Sequence, residues 1–93
     1  MAKPIGASVK RKSSTPNEVF GRAVTALRSK RKVSQVLLSE SLGYSSYYLG
    51  RIERGQANVS CDVMAAVSEY FGMTVGQFWI YAEKLAKTPP SSK

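Results

Sequence analysis

Ser34-Gln35-Val36-Leu37-Leu38-Ser39-Glu40-Ser41-Leu42-Gly43-Tyr44-Ser45-Ser46-Tyr47-Tyr48-Leu49-Gly50-Arg51-Ile52-Glu53-Arg54-Gly55 reads as two short helices joined at a glycine. Leu38 and Leu42 stand four apart, the spacing of one helical face. Ser34 precedes them, and its hydroxyl can accept from a backbone N–H left unpaired at a helix start. Gly43 supplies a residue that takes positive φ at no steric cost. The second helix is expected to start at Ser45, turn Leu49 and Ile52 inward, and end before Gly55. Hydroxyl and aromatic residues head it, and Arg51 and Arg54 close it. Two helices arranged this way form a helix-turn-helix unit.

Outward from this unit the apolar period stays helical. A helix is expected from about Asn17 or Glu18 to Arg31, capped by Asn17, with Phe20, Ala23, Val24, Leu27 and Arg31 on one face. Another, capped by Ser60, should bury Val63, Met64, Val67 and Phe71 and stop at Gly72. The last opens with a capping box, Thr74-Val75-Gly76-Gln77, and continues to about Ala86 with Phe78, Tyr81, Ala82 and Leu85 on one side. There is no strand pattern and no internal repeat. Residues 1–17 have no period; they hold Lys10-Arg11-Lys12 and the run Ser13-Ser14-Thr15-Pro16, which marks a flexible basic arm. Residues 88–93 are expected to be a disordered tail. Residues 18–87 are then one all-α domain of five helices. Its core is small, which places its stability at the low end of the usual ~5–15 kcal/mol.

A length of 93 residues suits one domain with one core. The net charge is +8, and it is unevenly spread. Residues 1–17 carry +4 (Lys3, Lys10, Arg11, Lys12), and residues 18–32 carry another +4 from five basic residues against Glu18. Solvation does not require such a bias; a polyanion partner explains it. Nucleic acid fits. A membrane surface fits poorly, because the basic triplet has no adjoining amphipathic apolar face. No apolar run approaches spanning length, and the N-terminus lacks the apolar core of a signal peptide. Cys61 is the only cysteine, so no internal disulfide forms, which suits a reducing cytosol. Histidine is absent, which removes the commonest general base and excludes a Cys/His metal site. The six carboxylates are scattered, with no nucleophile or base at a suggestive spacing. Neither an enzyme nor a cofactor is expected.

Arg28, Ser34-Gln35, Leu38, Leu42-Gly43, Ser45, Leu49, Ile52-Glu53-Arg54-Gly55 and Ser60 together resemble the Xre-type helix-turn-helix domains of phage Cro and repressor proteins. The resemblance spans roughly residues 18–80. It implies a five-helix, lambda-repressor-like fold and a sequence-specific, DNA-binding transcriptional regulator. Such a regulator acts as a homodimer on a two-fold operator, with a recognition helix of about residues 45–54 in the major groove. By position, the resemblance assigns base contacts to Ser45, Ser46, Tyr47 and Arg51. It assigns phosphate contacts to Gln35, Tyr48, Arg54, Gln56 and Asn58, with Gln35 also bracing the recognition helix. Arg28 and Glu53 are implied to form a structural ion pair between the first and third helices. The implied partners are double-stranded DNA, a second copy of the chain, and RNA polymerase or an antagonist protein. The implied setting is a bacterial or phage cytoplasm, associated with the nucleoid. A phage or mobile element, a restriction-modification circuit and a toxin–antitoxin operon all suit it.

The chain departs from this pattern at several points. Ser39 replaces a small apolar residue. Lys32 stands where many relatives have glycine. Gly50 sits inside a helix at a cost of up to ~1 kcal/mol against alanine, which points to close approach by a DNA backbone or another helix. Val36 and Leu37 put apolar side chains at a helix start that is normally polar. They raise a rival function, a protein-interaction module using Val36, Leu37 and the last helix. In that last helix Phe78, Trp79, Ile80 and Tyr81 are consecutive, so a helix cannot turn all four inward. Trp79 and Ile80 are expected outside, at a dimer interface.

Overall fold

Residues 15–87 are described by the computed structural model as five helices in succession: α1 Pro16–Arg31, α2 Gln35–Leu42, α3 Ser46–Glu53, α4 Cys61–Tyr70 and α5 Val75–Lys87. No strand occurs among the described residues. Residues 1–14 and 88–93, which hold most of the expected arm and all of the expected tail, lie outside them.

Each helix starts on a hydroxyl. Ser34, Ser45 and Ser60 are extended N-caps whose Oγ atoms accept from the N–H groups of Leu37, Tyr48 and Val63 at 2.9, 3.0 and 3.1 Å. At α5, Thr74 Oγ1 accepts from Gln77 N at 3.0 Å while Gln77 Oε1 accepts from Thr74 N at 2.9 Å. The same reciprocal box heads α1, and here the expected start is corrected. Thr15, not Asn17, is the cap: its Oγ1 accepts from Glu18 N, and Glu18 Oε1 accepts from Thr15 N. Pro16 follows in the first turn, where its missing N–H leaves nothing unpaired. Asn17 is already inside α1. Its side chain reaches instead to the loop after α3, donating to Asn58 Oδ1 at 3.1 Å and accepting from Val59 N at 3.2 Å.

Phe20, Val24, Leu38, Leu49, Ile52, Val67 and Phe78 are fully buried in one core. Burying a side chain of this size contributes about 1.5–3 kcal/mol. α1 is the central member, packing on α3 and α5, while α2 packs on α3 and α4 on α5. The α1–α3 contact depends on Gly21. A Cβ built there would lie 2.3 Å from the Ile52 carbonyl oxygen and 2.6 Å from that of Glu53. No residue but glycine lets the two backbones approach so closely. Arg31, at the end of α1, donates to the Phe71 carbonyl at 3.3 Å and lies over the Phe71 ring, so a cation sits where α4 ends.

Trp79 is half-buried rather than turned wholly outward as expected. Its ring packs on Phe20 at 5.7 Å, and its indole N–H donates to the Met64 sulfur at 3.4 Å. Phe20 also stacks on Phe78 at 4.9 Å, so residues 78 and 79 both close on α1. Ile80 does face outward, 58% exposed. Buried Ser39 is reconciled with the core by donating its hydroxyl to the Val36 carbonyl at 2.9 Å. Among the described residues no helix is long and apolar enough to cross a membrane.

Candidate nucleic-acid interface

Positions 47 and 51 of α3 and its C-cap, position 54, are spaced i, i+4 and i+7, so Tyr47, Arg51 and Arg54 form one stripe. Leu49 and Ile52 occupy the opposite, buried side. Tyr47 is 74% exposed. Arg51 donates through Nη2 to the Gln56 carbonyl, and Arg54 Nε donates to Gln56 Oε1 at 3.1 Å. The two arginines and Gln56 therefore form one cluster at the C-terminal end of the stripe. Ser45 marks its other end, where the first N–H groups of α3 emerge.

Ser46, next in the chain, lies beside the stripe. Its hydroxyl is 3.3 Å from Ser39 Oγ, at the seam with α2. Tyr48 is half-buried and meets Tyr44 edge-on at 5.3 Å. Burial foremost, and then Tyr48 and Asp62, pushes the Tyr44 phenol above its ordinary range, so it remains a neutral hydroxyl at physiological pH. Adjacent Tyr47 and Tyr48 thus divide, one toward solvent and one onto the domain, as two successive positions on a helix must.

The stripe is held by a polar clamp at the end of α3. Arg28 Nε and Nη2 donate to Glu53 Oε2 and Oε1 at 2.7 and 3.0 Å. Gln35 Nε2 donates to the same Oε1 at 2.9 Å, and Arg28 Nη1 donates to the Val33 carbonyl at 3.0 Å. One carboxylate, its side chain only 7% exposed, so joins α1, the start of α2 and the end of α3. A bidentate arginine pair with a further amide donor fixes angles as well as distances. Such a clamp holds the side chains of the stripe in a fixed relation to the rest of the domain.

Gln56 and Asn58 follow α3 on exposed loop positions, Asn58 tethered to Asn17. Gln35, Ser45, Tyr47, Arg51, Arg54 and Gln56 fall around α3, while Tyr48 is partly withdrawn into the domain. Trp79 is half-buried against the core and Ile80 is exposed, both on α5. Val36 and Leu37 on α2 are 54% and 50% exposed. Two contributors escaped the sequence reading. Asn17 braces the loop that carries Asn58, a contact 41 residues distant in the chain with no local signal. Thr15 did have one, since Thr15-Pro16-Asn17-Glu18 spells the capping box.

Among proteins of known role, the chain is 38% identical over 55 residues to the immunity repressor protein of Bacillus phage phi105. That stretch is 59% of this chain and 38% of the phage protein, so it represents well under half of the repressor's length. The fold is similar to the clp gene regulator ClgR of C. glutamicum, with a TM-score of 0.74 and 28% identity over 83% of this chain and 99% of that one. It is also similar to the restriction-modification controller protein C.AhdI of Aeromonas hydrophila, with a TM-score of 0.62 and 27% identity over 67% and 94% of the two chains. The sequence model of the helix-turn-helix domain matches residues 19–77, well over half of the 93, and the chain belongs to that family.

Proposed function

We propose that the protein is a sequence-specific DNA-binding transcriptional regulator that acts as a homodimer on a two-fold operator. The observation that carries this is the α3 stripe: Tyr47, Arg51 and Arg54 on one outward side of a helix whose end is clamped by Glu53. In this reading α3 enters the major groove. Arg51 forks onto guanine O6 and N7, and Ser45, Ser46 and Tyr47 meet neighbouring base edges or thymine methyls. Gln35, Tyr48, Arg54, Gln56 and Asn58 lie along the flanking phosphates. The phage immunity repressor and the two bacterial regulators support a regulatory role. The net charge of +8 supports attraction to a polyanion. Two subunits place two α3 helices about one turn, roughly 34 Å, apart.

Selection of duplexes from a random pool tests this directly. A two-fold consensus with half-sites one turn apart is expected, and affinity should fall steeply with salt. A consensus lacking two-fold symmetry would remove the homodimer, and no enrichment would remove DNA recognition. The exposure of Val36 and Leu37 favours a second reading, a protein-interaction surface on α2. Binding of a protein partner that is lost in Val36→Ser with Leu37→Ser, beside indifference to DNA, would establish that alternative.

A further inference from the structure

Gly50 lies inside α3, where glycine weakens a helix, yet it is buried. What covers it is the Arg54 side chain. A Cβ built on Gly50 would have Arg54 Nη1 at 3.1 Å and Arg54 Cζ and Nη2 at 3.9 Å as its three nearest neighbours outside the adjoining chain and the helix's own nearby backbone. The guanidinium therefore folds back one turn and rests across the bare backbone of the helix. Its Nε is held from the other side by Gln56 Oε1 at 3.1 Å. Gln56 is on the loop beyond α3, so Arg54 is gripped by groups before and after it in the chain. An unrestrained arginine on a helix end samples many rotamers, and ordering it on binding costs affinity.

We propose that Gly50 and Gln56 are positioning residues that hold the Arg54 guanidinium across α3, ready for a phosphate. The Gln56 amide thus acts through Arg54. Gly50 is present because any larger side chain takes the guanidinium's seat. The bond from Gln56 uses Nε and leaves the terminal nitrogens of Arg54 to a ligand, the geometry that a forked arginine–phosphate contact needs. The phosphate role of Arg54 rests on the DNA-binding function proposed above; its seat does not.

Two measurements on the whole chain test this. In the free protein, solvent exchange of the Arg54 Nε–H, followed by NMR, should be slow and should quicken in both Gly50→Ala and Gln56→Ala. Equal exchange in all three proteins would overturn the seat, whether or not the protein binds DNA. On a selected duplex, Gly50→Ala should lose affinity several-fold and flatten the salt dependence by about one phosphate contact, while its thermal midpoint stays level or rises. The same change made in Arg54→Ala should cost nothing further. An equal loss in both backgrounds would mean that the added methyl meets DNA itself, and would overturn the positioning role. A wild-type protein that binds no duplex, beside slow Arg54 exchange that the two variants quicken, would leave the seat standing and overturn the function it serves.

Discussion

At the scale of single residues, Arg51 and Arg54 share the α3 stripe and are assigned different duties. Arg51→Ala should weaken specific binding by about 1–3 kcal/mol and relax preference at one base position per half-site. Repeating the duplex selection with the variant checks this, since an unchanged consensus would place Arg51 off the bases. Arg54→Ala should weaken all duplexes alike and reduce the salt slope by about one contact. Lys32 matters for stability. It ends α1 with φ 58°, in the left-handed region, and is the one non-glycine residue with positive φ among those described. Holding a side chain there costs on the order of 1 kcal/mol. Lys32→Gly should raise the unfolding free energy measured in urea by a comparable amount, moving the midpoint up with the slope of the transition unchanged. A lowered midpoint would show that the entropy glycine adds to the unfolded chain outweighs the relieved strain.

At the scale of elements, the relation between α1 and α3 decides where the side chains of the α3 stripe sit. Two features set it: the close backbone approach at Gly21 and the clamp on Glu53. The approach leaves no space for a methyl group, because the atoms in the way are backbone carbonyls, which cannot swing aside. Gly21→Ala should therefore push α3 away from α1 and destabilise the domain by about 1–3 kcal/mol, in the range of overpacked cores. Chemical denaturation measures this. The expected helix-propensity gain of alanine is up to ~1 kcal/mol, so a net stabilisation would mean that the helices separate without cost. Alanine at position 50 provides the contrast, since there the neighbour is the end of a flexible side chain.

At the scale of the whole molecule, α5 carries two adjacent residues with opposite consequences. Trp79 stacks on Phe20 and donates to Met64, whereas Ile80 is left to solvent. Trp79→Ala should cost up to about 3 kcal/mol of folding stability, no more than the low end for a fully buried aromatic because the ring is half-buried, and so does not test association cleanly. Ile80→Ser should leave the melting transition nearly unchanged. If the proposed homodimer closes through α5, that variant sediments closer to monomer and binds an operator more weakly. If it sediments as the wild type does, the two-fold contact lies elsewhere, and the exposed Val36 and Leu37 are the next surface to substitute.

The five helices and most of their caps were legible in the chain alone. A capping serine, an i, i+4 leucine pair and a glycine at a turn act within a few residues of themselves, so the sequence around them is sufficient. The helix-turn-helix was legible for the same reason, and the family through the resemblance its residues carry. Thr15 was missed because Asn17, also a capping type, stood nearer the apolar run. Tertiary structure alone decided the rest. Periodicity left Trp79 and Ile80 equivalent, and only the position of Phe20 and Met64 drew one of them half into the core. The Asn17–Asn58 bond, the bare crossing at Gly21 and the seat of Arg54 against Gly50 and Gln56 all depend on where separate segments meet. Their common cause is distance of approach between backbones and side chains brought together by packing, a quantity that local propensity does not contain.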